Sequence, residues 1–460
     1  MSRCSQGRYI DEVMDEMVIP RVFSTIVPNS TIELYSGDLR LIWDDNSIDS
    51  SGSISLIWSP SPRVAFKFDF PLDSVTPAPE LESKVRVELA GHGGHGEGQI
   101  WGDQTFSDAG TSGQTLFGTI SHVFESGNPA AVDTVEFHVP NFPEFVSTRH
   151  QVGSCVCMSR LTTDASEYRI ELDGVCHSTQ LRNHPAFTGG YGITHTGRIR
   201  RKDGLAIAYE DVESLTTSLY WWLSFVRGER TGSILTTGVH EGRAIWERWG
   251  CGTIAPWSGR WSWLPLFPPP MSGDPSIGIG VILDHLLQLD KEAVQYRALV
   301  RTIDWYTQSA SNRHTATTVI LAQAGIELMS WLHLVETIGV SDQTFERMHA
   351  SDKIRVELAQ AGIPLGIPSS AGELARIASA GQYGEALDGP AVTVDYRNGV
   401  VHPKMQSRFS GAPEAEIQAG SLTIRYLELL LLHAFGYRGS AFDRTDWSKG
   451  DVPVPWQGPL

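Results

Sequence analysis

The sequence predicts an α+β multidomain protein: a β-rich N-terminal half, sandwich- or barrel-like, followed by an all-α helical bundle. Three observations carry this. Apolar residues alternate through much of the first half, most plainly Val64, Phe66, Phe68 and Phe70, interleaved with Ala65, Lys67 and Asp69. From Ile277 the apolar period becomes helical. Between the two lie Pro268-Pro269-Pro270 and Ser272-Gly273-Asp274-Pro275, which break either pattern. The expected units are a sensory or regulatory β region of one or two subdomains at 1–270, a bundle at 277–440 and an extended tail at 441–460. A chain of 460 residues suits two or three domains.

Residues 1–30 offer only a short helix at Asp11–Met17. Thr31–Tyr35 and Leu39–Trp43 read as strands around the turn Ser36-Gly37-Asp38. Ile54–Trp58, Val64–Phe70, Val85–Leu89, Leu116–Phe124, Val135–Val139, Cys155–Ser159 and Tyr168–Leu172 follow as strands. Arg198–Arg201 and Leu205–Tyr209 flank Lys202-Asp203-Gly204, a hairpin signal. Val212, Leu215, Leu219, Trp222 and Val226 form a helical stripe, with Asp211 as N-cap and Gly228 as stop. A tryptophan-rich stretch from Trp246 to Trp263 precedes the proline break.

The second half reads as helices at Val281–Leu289, Glu292–Tyr306, Thr317–Ile338, Gln343–His349, Lys353–Ala361, Ala371–Ala380 and Ala415–Phe435. The longest is expected to face inward along Ile320, Ala324, Leu328, Trp331, Val335 and Ile338. The last is apolar nearly all round at Leu427–Leu432 and should be central.

Composition narrows the function classes. The net charge of −17 excludes a broad, sequence-independent nucleic-acid coat, while leaving room for a local basic site. No apolar run approaches the ~20 residues of a membrane span. Met1–Gly7 lacks the apolar core of a secretory signal. The five cysteines, Cys4, Cys155, Cys157, Cys176 and Cys251, are odd in number and scattered, as expected of a cytoplasmic protein.

The stretch with most chemistry is Asp395-Tyr396-Arg397-Asn398-Gly399-Val400-Val401-His402-Pro403, set between two apolar helices. Histidine titrates near neutrality and can take a proton from a ribose 2′-OH or give one to a leaving 5′-oxygen. A fixed guanidinium can stabilise the charge that builds on the scissile phosphate. Asn398 and His402 share a helix face, while Arg397 lies about 140° from His402 around the axis, with Gly399 loosening the turn and Pro403 expected to end or kink the helix just after His402. One His and one Arg are a thin catalytic set, so two copies meeting across a dimer or larger oligomer would complete it.

Arg397, Asn398 and His402 match, position by position, the RxxxxH motif of HEPN-domain ribonucleases, which this segment resembles. The resemblance covers roughly the last third of the chain. It implies a motif at the start of a late helix and metal-independent cleavage of RNA. The order of parts, with the motif neighbourhood, also looks like the ApeA group of anti-phage defence proteins. That resemblance implies an abortive-infection effector whose N-terminal half binds a phage-derived trigger and whose substrate is RNA, tRNA included. No cofactor or metal is expected, and no membrane partner.

Other residues carry competing readings. Glu327, at the edge of the long helix's stripe, either orients Arg397 or His402 or is a boundary carboxylate paired with an arginine. His433 reads as a core histidine. Cys155-Val-Cys157 with Cys176-His177 lacks the spacing of a zinc knuckle, and His92-Gly-Gly-His95 reads as a loop. The cluster Arg198, Arg200, Arg201, Lys202 is either a nucleic-acid contact or a solvated hairpin tip. The alternative to an enzyme is a non-catalytic scaffold, in which the bundle dimerises and the β half binds a ligand.

Overall fold

The computed structural model describes residues 23, 26–71, 76–91, 93–108, 111–144, 148–152, 155–175, 178–259, 262–264, 275–312, 314–380, 386–402 and 408–457. The helix expected at Asp11–Met17 lies outside them.

Strands β1 (Ile32–Trp43), β2 (Asn46–Ile57), β3 (Arg63–Phe70), β4 (Lys84–Leu89), β5 (His95–Asp108) and β6 (Thr111–Ile120) form an antiparallel sheet in the order β4-β1-β2-β3-β6-β5. Because β5 also pairs with β4, the sheet closes into a barrel. Its interior is packed solid by Leu39, Leu41, Ile54, Leu56, Phe66, Phe68, Val87 and Leu116. Gly118 makes room for this filling: a Cβ there would stand 2.1 Å from the Phe66 ring.

Ser36-Gly37-Asp38 is not a turn. β1 runs straight through it, each of the three residues paired with β2 and Gly37 opposite Gly52. A register shift between Glu33 and Tyr35 keeps the apolar alternation in phase on both sides. The turn lies instead at Asp44-Asp45, where Asp44 takes φ 48°.

β7 (Val123–Gly127) leaves the barrel through one pairing with β5, His95 opposite Glu125. It begins a second run in the order β7-β14-β13-β8-β12-β11-β10-β9. These strands are β8 (Thr134–Pro140), β9 (Thr148–Val152), β10 (Cys155–Ala165), β11 (Tyr168–Gly174), β12 (Ile193–Arg201), β13 (Ile234–His240) and β14 (Arg243–Gly250). A short α1 (Ser178–Asn183) connects β11 to β12. Sequence pattern passed over β13 and β14. Their connection, Glu241-Gly242, has both φ values positive, at 50° and 74°, without the Asn-Gly or Asp-Gly that usually marks such a turn.

Leu205–Tyr209 is not a strand. Only Ile207 bridges to Val132, and the chain then enters α2 (Tyr209–Arg227). The stripe Val212, Leu215, Leu219, Trp222, Val226 is buried and Gly228 caps the helix at φ 77°, as the sequence predicts. Ala208 rather than Asp211 is the N-cap; Asp211 sits in the first turn, where its charge suits the helix dipole.

The helical half comprises α3 (Pro275–Gln288), α4 (Val294–Ser311), α5 (Thr315–Trp331), α6 (Asp342–Arg347), α7 (Ala350–Gln360), α8 (Gly372–Ser379), α9 (Gly389–Val401) and α10 (Pro413–Ala434). A π-helical turn, Leu332–Thr337, extends α5. α10 is central, packing on α4, α5, α7, α8 and α9. α5 buries Val319, Ala322, Ile326 and Met329, not the expected stripe; Ile338 is 57% exposed. The helix is apolar on most faces, so periodicity could not choose among them. Gly325 chooses: a Cβ there would lie 3.1 Å from Leu427, so α5 and α10 approach closely on that side. Thr315–Thr337 is long and apolar enough to cross a membrane, yet it packs against α4, α7 and α10 within the bundle.

Two hydrophobic clusters result. One fills the barrel and takes in Ile193, Ile234 and Trp249 from the second sheet. The other runs without break from Val132 through the second sheet, α2 and the bundle to Val454. The compositional break near residue 270 is therefore not a break in the core. α3 lies on β10, the Ser166 N–H donates to Asp284, and Trp222 Nε1 donates to the Ile279 carbonyl at 3.0 Å. The tail folds back as a hairpin of β15 (Ser440–Phe442) and β16 (Asp451–Pro453). Trp456 Nε1 donates to the Tyr437 carbonyl at 2.8 Å.

Candidate functional site

Helix α9 begins with Asp388, whose side chain accepts from Ala391 N–H, and Pro390 suits the first turn. Burial alone would raise the Asp388 carboxyl, but the hydrogen bonds of Arg355 and Ala391 hold it below its ordinary value. Val392, Val394 and Tyr396 face the core. The Tyr396 hydroxyl donates to Glu416 of α10 at 3.3 Å, and its ring meets Phe409 at 4.7 Å. Burial, with Glu416 beside it, pushes the Tyr396 hydroxyl up to about 12. These contacts fix the last turns of α9 against the start of α10.

Arg397, Asn398 and His402 occupy the end of this helix, not a helix start. His402 is the C-cap, with φ −116° and ψ 77°, and its N–H donates to the Asn398 carbonyl at 2.8 Å. Its ring is exposed. Arg397 Nη1 donates to Asn398 Oδ1 at 3.2 Å, so Asn398 orients the guanidinium. Asp395 pairs with Arg408 at 3.7 Å nearby. The placement has a chemical cost. A helix start presents free N–H groups to a phosphate, whereas a helix end presents carbonyls. Arg397 must bind any phosphate here without help from its own helix.

Glu327 does not join this group. Thr315 approaches Gly420 and Gly325 approaches Leu427, so α5 runs parallel to α10. Gly389 faces the Tyr426 hydroxyl while Tyr396 reaches Glu416, so α9 runs antiparallel to α10. Glu327 and Arg397 therefore lie on the order of 20 Å apart along the bundle, at 1.5 Å per helical residue. Glu327 instead accepts from Gln323 Nε2 at 3.2 Å on its own helix.

Sequence reasoning passed over a pair near the other end of the bundle. His333, in the π-helical turn, lies 2.8 Å from Glu357 Oε2, and Glu357 is largely buried. Burial raises the Glu357 carboxyl, against the pull of His333. His433 stands near by, edge-on to Trp456 at 5.1 Å, its imidazole lowered by burial and then by His333. It also missed a buried network on α10, in which Glu428 accepts from Tyr306 and Arg444, each at 2.7 Å. The signal was present: Arg425 and Glu428 are charges inside an otherwise apolar run.

Several of the other candidates are engaged in contacts within the fold. Arg198 and Arg200 both donate to Glu171, and Arg201 pairs with Asp203, so three of the four cations in the basic cluster are held by carboxylates. Trp246, Trp249 and Trp263 are buried, and Trp257 stacks on Phe187 at 5.2 Å. Trp261, His92, Cys176 and His177 lie outside the described residues, as do the side chains of Cys155 and Cys157. Among the described residues, no three His, Cys, Asp or Glu side chains cluster as metal ligands.

Two family profiles match the chain. The YopA central domain covers residues 127–260, which is the second sheet with α2, and the YopA C-terminal domain covers residues 293–452. The first begins at the last residue of β7, just past the barrel, so the match follows the architecture. Over 454 residues the chain is 24% identical to the SPbeta prophage-derived uncharacterized protein YopA of Bacillus subtilis (strain 168). That alignment spans 94% of this chain and 95% of the relative. No solved structure matches the chain.

Proposed function

We propose that the chain is a metal-independent endoribonuclease acting through Arg397 and His402. The observation that carries this is the setting of His402: an exposed imidazole at a helix end, beside a guanidinium oriented by Asn398. In the reaction, a base removes the ribose 2′ proton and the 2′-oxygen attacks phosphorus. The 5′-oxygen then leaves with a proton, giving a 2′,3′-cyclic phosphate. One histidine cannot hold and release a proton at both oxygens in one step, and the carbonyl end of α9 offers no donors to the phosphate. The active form is therefore a homodimer or larger oligomer that brings two Arg/His sets together.

The setting we propose is cytoplasmic, as an abortive-infection effector against phage, with RNA, tRNA included, as substrate. A prophage-derived relative fits a protein used in conflict between phages. The barrel half is the natural receiver of a phage-derived trigger. The reading rests on the motif and its resemblance to HEPN ribonucleases, not on the matched YopA domains. One observation favours the alternative of a non-catalytic ligand-binding or dimerisation scaffold: the motif closes a helix instead of opening one. Incubating the full chain with total RNA in the presence of a chelator separates the two, since only the enzyme shortens the RNA.

A further inference from the structure

We infer that the outer face of the barrel around Trp101 binds a neutral oligosaccharide, with the sugar rings lying on the indole. Nothing in this inference uses Arg397 or His402, so it stands apart from the ribonuclease reading.

Phe117 follows the interior residue Leu116 on β6 and so points out of the barrel. Lys67, between the interior residues Phe66 and Phe68, points out beside it and is its ladder partner on β3. On β5 the register slips. Ile100 pairs with Gly118 and Gly102 with Phe117, which leaves Trp101 as the extra residue of a β-bulge. A bulge re-aims a side chain, and this one sets the indole beside the phenyl ring, centroids 5.6 Å apart and planes at 34°. The Lys67 ammonium stands 5.7 Å from the Phe117 centroid. Trp101 is 53% exposed. Gly102 keeps the ground next to it bare: among the described residues no atom comes within 4 Å of where its Cβ would stand. The two rings thus form an open shelf. Polar groups edge it. Gln104 and Thr115 are the next outward pair along β5 and β6, and Asp69 accepts from the Thr115 and Ser51 hydroxyls.

Charge and area choose the occupant. Single-stranded nucleic acid stacks on such rings, but its affinity rests on lysines and arginines along the backbone. Residues 32–120 carry thirteen Asp and Glu against five Lys and Arg. Of those five, Arg40 and Arg86 are already paired with Asp49 and Glu88. The barrel therefore repels a polyanion. A cationic ligand would meet the Lys67 ammonium at the shelf itself. A protein partner needs about 800 Å² of surface from each side, whereas two partly exposed aromatic rings offer on the order of 200 Å². A neutral sugar meets none of these objections. The C–H groups on one face of a pyranose carry slight positive charge and lie against the negative face of an aromatic ring. Its hydroxyls, at the ring edge, reach donors and acceptors of the kind that Lys67, Gln104 and Asp69 supply. Two tilted rings side by side suit successive units of a chain better than a single sugar.

The test is calorimetric titration of the full chain with cellohexaose, with maltohexaose, with the hexamer of N-acetylglucosamine and with a thymidine oligonucleotide. At least one sugar should bind, and more tightly than the oligonucleotide. Binding should change by less than about twofold between low and high salt, because no counterions are released. Trp101→Ala should weaken it by at least about tenfold; the side chain is largely outside the core, so the fold survives. Gly102→Val adds a side chain in open space and suits a strand, so it should keep the melting temperature while covering the shelf and weakening binding by a similar factor. Absence of binding by all three sugars overturns the inference. So does sugar binding that Trp101→Ala leaves unchanged. Tighter, salt-sensitive binding of the oligonucleotide that depends on Trp101 overturns it too, and would assign the face to nucleic acid.

Discussion

The last backbone hydrogen bond of α9 joins His402 to Asn398, N–H to carbonyl at 2.8 Å, so the histidine of the motif closes its helix. Arg397 leans on Asn398 by its side chain at the same turn. Asn398 thereby holds both Arg397 and His402, one through its amide and the other through its backbone. A substitution that removes only the amide, Asn398→Ala, should leave α9 intact and free the guanidinium. Its expected effect is a partial loss of RNA cleavage with an unchanged melting temperature.

Glu327→Gln should leave RNA cleavage within about twofold of wild type, because its carboxylate lies roughly 20 Å from Arg397 along the bundle. Initial rates on one RNA substrate check this. A loss as deep as that of the His402 variant would mean that the two helices are arranged otherwise.

The bundle should not fold without the second sheet. Its core is continuous with that of β8, β10, β11, β12 and α2, and Trp222 anchors α3 by a buried hydrogen bond. A fragment starting at residue 275 is expected to be insoluble or unfolded, whereas one starting at residue 127 should fold. Limited proteolysis and circular dichroism distinguish the outcomes.

Glu428→Ala leaves the Arg444 cation buried without its carboxylate and deprives the Tyr306 hydroxyl of its acceptor. Removing one partner of a buried pair costs about 3–5 kcal/mol. Tyr306→Phe, which keeps the ion pair, should cost about 1 kcal/mol. Urea unfolding measures both.

Glu136 on β8 gives a pH signature. Burial raises its carboxyl from 4.5 to about 7, with Arg198 opposing. The folded state therefore binds this proton more tightly than the unfolded chain does. Stability from this group is full below the unfolded value, falls as pH rises between about 4.5 and 7, and is lost above that. Since the side chain is partly exposed, the loss is discounted to about 1 kcal/mol. Glu136→Gln should be more stable than wild type at pH 8 and no more stable at pH 4; melts at the two values test the sign.

The sequence made the barrel half legible where one face alternates, as at Val64–Phe70, and the bundle legible where helices are long. What it hid has physical causes. The turn at Glu241-Gly242 lacks the usual residues, so β13 and β14 went unread. α5 is apolar on most faces, so its buried side was set by Gly325 against Leu427, a contact no periodicity records. The proline break near residue 270 falls between the two matched domains, residues 127–260 and 293–452; what composition did not record is that the two share one core, because it reports the chain's local conformation and not which faces are buried together. At the site, the spacing of Arg397, Asn398 and His402 was plain. The end of α9 was legible in part: Pro403 tolerates a helix poorly and marks a stop just after His402, where the helix does end, whereas the family resemblance placed the motif at a helix start.

The most direct measurement is the cleavage of RNA by the full chain, its His402→Ala variant and its Arg397→Ala variant, in chelator, with the product ends determined. Both residues are at least partly exposed, so each variant should keep its stability within about 0.5 kcal/mol. The account predicts fragments ending in a 2′,3′-cyclic phosphate, or its 3′-phosphate opening product, from wild type. It predicts a loss of at least about a hundredfold in rate for either variant. Cleavage that persists in both variants, or that wild type performs only with added metal, would contradict it.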